Sequence, residues 1–188
     1  MIKAKKKYGQ NFLVDKGVIN KIIGAINPKN SEKILEIGPG LGALTTQILN
    51  KIDHIDVVEI DPDMIKVLQE KIPPSKITIF SSNILEMNND IIRKYDKVIG
   101  NLPYYISSEI LLKMIKTIGN QKDLHFMLQK EVAERIASST HSKSYGRLSV
   151  ILQYFFDIEL LFDIHPESFS PPPKVISSLV RLIPKINH

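Results

Sequence analysis

The hydrophobic positions change period along this chain, and each change marks an element. Val18, Ile19, Ile22, Ile23 and Ile26 recur at helical spacing, which predicts an amphipathic helix over 15–26 with Asp15 as N-cap and Asn27-Pro28 as the stop. A short apolar run at 33–37 ends in Gly38-Pro39-Gly40-Leu41-Gly42, after which Leu44, Ile48 and Leu49 resume the helical period. That is strand, glycine turn, helix. The alternation continues with strands at 55–60, 77–80 and 97–100, a helix from Pro62 to about 71 and another near 89–94. Ser107 or Ser108 is placed to cap a helix running to about 118, and 124–128 and 131–137 read as a fifth strand and its helix. Short buried strands separated by crossover helices predict an α/β fold, a parallel sheet with helices on both faces. The small polar residues of 138–145 predict an exposed loop. Two closing strands are expected at 148–156 and 176–183, joined through the stiff Pro171-Pro172-Pro173.

With 188 residues, 43% of them hydrophobic, the chain is long enough for one domain with a real core and too short for two of ordinary size. It has no Cys, which excludes disulfides, thiolate zinc sites and a cysteine nucleophile. The five His show no metal-ligand spacing, so no metal is expected. No apolar run approaches the length of a membrane span, and Gly9, Gln10 and Asn11 interrupt the Lys-rich start before any signal-like segment; a soluble, cytoplasmic protein is expected. The net charge of +5 is uneven, because Lys3, Lys5, Lys6, Lys7, Lys16 and Lys21 precede residue 25 against Asp15 alone. Such a patch suits a polyanionic partner, nucleic acid above all.

Two strand ends carry candidate chemistry. The glycine turn lets a ligand approach the backbone, and Glu59, at the end of the next strand, can accept from both hydroxyls of a ribose. Together they call for an adenosine-containing cofactor. The turn also fits G-x-G-x-x-A, so NAD and S-adenosylmethionine both satisfy it. The second site is Asn101-Leu102-Pro103-Tyr104. The Asn101 amide oxygen and the Leu102 carbonyl can each accept one hydrogen of an exocyclic NH2 while Tyr104 stacks on the ring. Two acceptors pulling on those hydrogens localise the nitrogen lone pair, which is what transfer from an activated methyl donor needs. No proton-handling group of the kind a hydride transfer requires stands there, which favours S-adenosylmethionine over NAD.

Six segments in order carry a resemblance: Gly9-Gln10-Asn11-Phe12-Leu13, Glu36 to Gly42, Asn101 to Tyr104, Leu128-Gln129-Lys130-Glu131-Val132, Tyr145-Gly146-Arg147-Leu148-Ser149 and Phe169 to Val175. Together they resemble the ribosomal RNA adenine dimethylase family in its bacterial small-subunit branch, over residues 8–183. The related erythromycin-resistance methylases share the first three segments, while the Leu128 and Tyr145 segments look more like the small-subunit enzymes. The resemblance implies a Rossmann-like class I S-adenosylmethionine-dependent methyltransferase fold with a mostly parallel seven-stranded sheet. It implies methyl transfer to N6 of two adjacent adenosines near the 3′ end of small-subunit ribosomal RNA, with the immature small subunit as partner and a role in ribosome biogenesis. A non-catalytic RNA-binding assembly factor on the same fold is the alternative.

By the same resemblance, Asn11 and Leu13 would touch the methionine end of the cofactor, Gly38 would underlie it, Glu59 would hold the ribose and Asn83 would meet the adenine edge. Asn101 would lie between cofactor and target base, with Leu102 as second acceptor, and Tyr104 and Phe169 would sandwich the target adenine. Asn83 stands where many relatives carry Asp, and Tyr105 where others carry Asn. The family pattern also implies a helical domain after the last strand, so residues 1–188 are expected to be the catalytic domain alone.

Overall fold

The structure, a computed structural model, describes Lys5 and residues 8–185. A two-residue strand, β1 (Phe12–Leu13), leads into α1 (Lys16–Ile26). The Asp15 carboxylate caps this helix by accepting from the Val18 N–H at 3.0 Å, and Asn27 ends it in the left-handed region at φ 46°. Strands and helices then alternate through β2 (Ile34–Ile37), α2 (Ala43–Ile48), β3 (Ile55–Glu59), α3 (Pro62–Lys71) and β4 (Ile77–Ser81). The series continues with α4 (Asn89–Ile92), β5 (Lys97–Asn101), α5 (Ser107–Lys116), β6 (Asp123–Gln129) and α6 (Lys130–Ile136). It closes with α7 (Arg147–Phe155), β7 (Phe156–Ile164), β8 (Phe169–Ser170) and β9 (Ser177–Pro184).

Seven strands form one sheet in the order β4-β3-β2-β5-β6-β9-β7. Neighbours from β4 to β6 are parallel, and β9 enters antiparallel to both β6 and β7. Because strand side chains alternate, each strand feeds two cores. Leu35, Val98 and Phe126 pack with residues of α4, α5, α6 and α7, whereas Ile34, Ile99 and Met127 pack with α1, α2 and α3. The expected parallel sheet with helices on both faces is therefore present. Among the described residues no helix is long and apolar enough to cross a membrane.

Two local expectations are corrected. Residues 148–155 lie in α7 rather than in a strand, and Phe156 begins β7. Gly146 N–H donates to the Ser149 hydroxyl at 3.1 Å, and that hydroxyl donates to the Arg135 carbonyl at 2.6 Å, which ties the start of α7 to the end of α6. Ser149 and Leu152 face inward, while Val150, Ile151 and Tyr154, the residues that read as strand, are exposed. The missing strand lies one step later, in β7, where the alternation Phe156, Ile158, Leu160 is broken by a register shift between Leu160 and Phe162. Ser107 is also not a cap. It is the first residue of α5 and its hydroxyl donates back to the Tyr104 carbonyl at 3.1 Å.

Candidate active site

The connections leave the sheet in opposite directions on either side of the β2–β5 pair, with β3 and β4 on one flank and β6 on the other. A crevice opens at the carboxyl ends of the strands where such a reversal occurs. Here it is a cavity of about 210 Å³, bounded by the turn after β2, the ends of β3 and β5, the segment after β4, and residues 8–13.

The turn after β2 needs glycine for conformation and for space. Gly38 and Gly40 take φ of 64° and 54°, in the left-handed region. A Cβ on Gly38 would meet nothing within 4 Å and would project into open space beside the cavity. One on Gly40 would lie 3.1 Å from the Phe12 ring. The turn is therefore a cradle on one side and a seat for the N-terminal segment on the other.

Glu59, at the end of β3, is held by three backbone donors: Gly40 N–H at 3.2 Å, and Ile60 and Asp61 N–H at 2.9 Å each. Burial pushes its carboxyl above the ordinary value, and these donors oppose the shift. Asn83, just past β4, lines the cavity, but its amide oxygen already accepts from Leu85 N–H at 3.0 Å. Its amide nitrogen is the half left without a partner among the described residues.

Asn101 and Leu102 stand at the end of β5. Asn101 donates from Nδ2 to the Asn11 carbonyl at 2.9 Å, which orients the amide and leaves Oδ1 without a donor among the described residues. Leu102 N–H donates to the Met127 carbonyl at 3.2 Å, and Pro103 follows at φ −58°. The Leu102 carbonyl is thus held in a fixed peptide, and among the described residues it accepts no hydrogen bond. Tyr104 lines the cavity with its hydroxyl 2.6 Å from Ser177 Oγ, and burial raises its phenol against that hydrogen bond.

Asn11 and Leu13 also line the cavity, so the structure brings together every predicted cofactor-side residue together with Asn101, Leu102 and Tyr104. Phe169 is the exception. It is 3% exposed, pairs with Leu13 in the β1–β8 ladder and packs among Met127 and Leu179, outside the residues that line the cavity.

Two residues of the site, Glu36 and Gln10, and Asp61 beside it carry no role in the sequence reading. Glu36 lines the same cavity, fully buried, its Oε2 accepting from the Thr45 hydroxyl at 2.6 Å. Burial raises its carboxyl to about 7, with the Thr45 hydrogen bond opposing and the charge of Glu59 adding. A single acid in an otherwise apolar strand was the available signal. Asp61 and Gln10 are the others. Asp61, 0% exposed, accepts from Lys5 Nζ at 2.6 Å and from Gln10 Nε2 at 2.8 Å. Burial alone would raise its carboxyl, but those hydrogen bonds outweigh burial and hold it below the ordinary value.

Lys5 also reaches Asp63 at 2.6 Å, so this lysine of the expected basic patch is committed to two carboxylates. Lys21 lies 4.0 Å over the Phe162 ring. Lys3, Lys6 and Lys7 lie outside the described residues. Among the described residues no group of His, Cys, Asp and Glu could hold a metal ion.

The profile of the ribosomal RNA adenine dimethylase family matches residues 1–188. The chain belongs to that family. It is 47% identical over 182 residues to the ribosomal RNA small subunit methyltransferase A of Dechloromonas aromatica, covering 97% of this chain and 71% of that relative. The corresponding protein of Methylobacillus flagellatus is 48% identical over 181 residues, with 96% and 71% covered. Among solved structures, a dimethyladenosine transferase from Plasmodium falciparum superposes with a TM-score of 0.85 at 32% identity, over 93% of this chain and 63% of that one. The 23S rRNA methyltransferase ErmE superposes at 0.78 and 26%, over 94% and 70%. The dimethylase fold seen here is the Rossmann-like class I S-adenosylmethionine-dependent methyltransferase architecture, with its mostly parallel seven-stranded sheet.

The ionisation of Glu36 gives a measurable signature. A buried carboxyl raised from 4.5 to about 7 keeps its proton in the folded chain where the unfolded chain has lost it. Folding stability therefore falls as pH rises from about 4.5 through about 7 and stays low above, by roughly 3 kcal/mol at most. Glu36→Gln keeps an acceptor for Thr45 and removes the titration. In thermal unfolding without ligand, the variant should match the parent near pH 4.5 and melt higher at pH 8. Parallel curves for the two proteins across that range would show that Glu36 does not titrate there.

Proposed function

We propose that this chain transfers methyl groups from S-adenosylmethionine to N6 of two adjacent adenosines near the 3′ end of small-subunit ribosomal RNA, acting on the immature small subunit in the cytoplasm. Membership of the dimethylase family supports this reading. The observation that carries it is the orientation of Asn101. With Nδ2 engaged by Asn11, Oδ1 is left to accept from an amino group, and the fixed Leu102 carbonyl supplies a second acceptor beside it.

The cavity fits the cofactor: Gly38 offers a surface that any side chain would obstruct, and Glu59 and Glu36 supply carboxyl groups in the same space. Asn11, Leu13, Gly38, Glu59 and Asn83 would hold it, and it supplies a methyl group already activated by a positively charged sulfur. The chain does the rest. Asn101 Oδ1 and the Leu102 carbonyl accept the two hydrogens of the adenine amino group and turn its lone pair out of conjugation with the ring. That would leave the nitrogen lone pair localised and aimed at the methyl group the bound cofactor would supply, and the proton released by the transfer would pass to solvent. Tyr104 supports the extruded base by stacking. Phe169 stands behind this wall, next to Leu13, and supports it from the core side.

Two measurements test the proposal. Thermal unfolding with saturating S-adenosylmethionine or S-adenosylhomocysteine should move the midpoint upward, and NAD should not, because a ligand that binds only the folded chain stabilises it. Labelled methyl from the cofactor should appear as N6,N6-dimethyladenosine in small-subunit particles that lack the modification. A midpoint indifferent to the first two ligands, or particles left unlabelled, overturns it.

A further inference from the structure

Tyr105 is the feature that the reaction above leaves unused. It follows Tyr104 in the 3-10 turn Tyr104–Ile106, where successive side chains point about a third of a turn apart. The two rings therefore diverge. Tyr104 is drawn inward and anchored on Ser177, whereas Tyr105 is 61% exposed although it still borders the cavity. One edge of its ring lies close to the N-terminal segment: a Cβ added at Gly9 would stand 3.3 and 3.4 Å from its Cδ1 and Cε1. Gly9 has φ 59°, so a glycine there both permits the turn and leaves room for the ring. The other side faces solvent, and the hydroxyl has no hydrogen-bond partner among the described residues.

A large exposed aromatic ring held along one edge at the mouth of a cavity is a stacking platform. The occupant follows from covalent connectivity. A base extruded into the cavity remains attached to its neighbours, so the RNA strand must cross the rim on either side of Tyr104. The nucleotide next in line has lost its stacking partner and presents an open face there. We propose that Tyr105 stacks on the nucleotide flanking the target adenosine, and so determines how a single-stranded substrate is seated. This rests on the reading of the cavity as an adenine N6-methyltransferase site. For a pair of adjacent adenosines it means that one waits on Tyr105 while the other occupies the cavity.

The test compares Tyr105→Ala and Tyr105→Phe with the parent on unmodified small-subunit particles. Tyr105→Ala should raise KM for the particles by about fivefold to a hundredfold, the range that one stacked base supplies, with kcat and the Kd for S-adenosylhomocysteine unchanged. Tyr105→Phe, which keeps the ring, should restore KM. An RNA carrying 2-aminopurine beside the target adenosine should show quenched fluorescence with the parent and the Phe variant and not with the Ala variant. Unchanged KM in Tyr105→Ala overturns the proposal. So does a weakened Kd for S-adenosylhomocysteine with unchanged KM, since the ring would then serve only to cover Gly9. A parent protein that labels no RNA removes the methyltransferase reading itself, and this inference with it, before any variant is compared.

Discussion

Asn101→Ala should lower kcat for methyl transfer by on the order of a hundredfold to a thousandfold, the usual cost of removing one preorganised partner from a reacting centre. The substitution removes both halves of a bifunctional amide. The Oδ1 acceptor is lost to the target amino group, and the Nδ2 donor is lost to the Asn11 carbonyl. The second loss concerns one partly buried hydrogen bond and should cost about 1 kcal/mol of stability, so the variant should still fold. Asn101→Asp separates the two roles. It keeps an acceptor and loses the donor, so it should retain more turnover than the alanine variant while binding S-adenosylhomocysteine less tightly, because residues 8–13 lose their tie to β5. Single-turnover rates and calorimetric Kd values on the same preparations check this. Equal rates in the parent and Asn101→Ala would remove Asn101 from the chemistry.

Gly100→Ala should have the largest effect on stability. Gly100 pairs with Ile37 across β2 and with Phe126 across β6, in the middle of the sheet. A Cβ there would stand 2.5 Å from the Ile37 carbonyl oxygen and 3.2 Å from its Cβ. The first contact is with backbone, so relief requires two hydrogen-bonded strands to separate. The expected loss is about 3 kcal/mol, at the upper end for overpacking a core. For a chain of this size that is a fall of about 10 °C in Tm. The same displacement moves Ile37, which leads into Gly38, and Asn101, which follows Gly100, so the stabilisation by S-adenosylhomocysteine should shrink too. A variant that melts with the parent and binds as tightly would show that the strands accommodate a methyl group at no cost.

Much of this site was legible because its residues sit at strand ends, and strand ends are where an apolar run gives way to punctuation. Gly38, Glu59, Asn83 and Asn101 each follow such a run, so a parallel α/β reading already brings them to one edge. The errors came where local pattern and tertiary context disagree. Residues 148–156 are rich in β-branched and aromatic side chains, yet Ser149 and Leu152 have inward places only on a helix anchored to Arg135. β7 has a clean alternation at its start, but the register shift at Leu160 leaves that side chain exposed and blurs the pattern. Glu36 was hidden because an acid inside a buried strand shows its purpose only once the Thr45 hydroxyl and the cavity are placed beside it. Asp61 stands with Glu59 at the end of a predicted strand, and its capping of α3, where it accepts from Asp63 N–H, shows only in the structure. That Lys5 and Gln10 also converge on it depends on how residues 5–13 cross the sheet, which spacing does not encode.

The ladder between β1 and β8 has a consequence for biosynthesis. Phe12 and Leu13, which line the cavity, are paired with Ser170 and Phe169, so one wall of the site is fastened by residues separated by most of the chain. While the protein is being made, the glycine turn, Glu59 and Asn101 all emerge before the partner of Leu13 exists. The nascent chain can assemble its central strands early, but the cofactor gains a closed pocket only when Phe169 and Ser170 have cleared the exit tunnel.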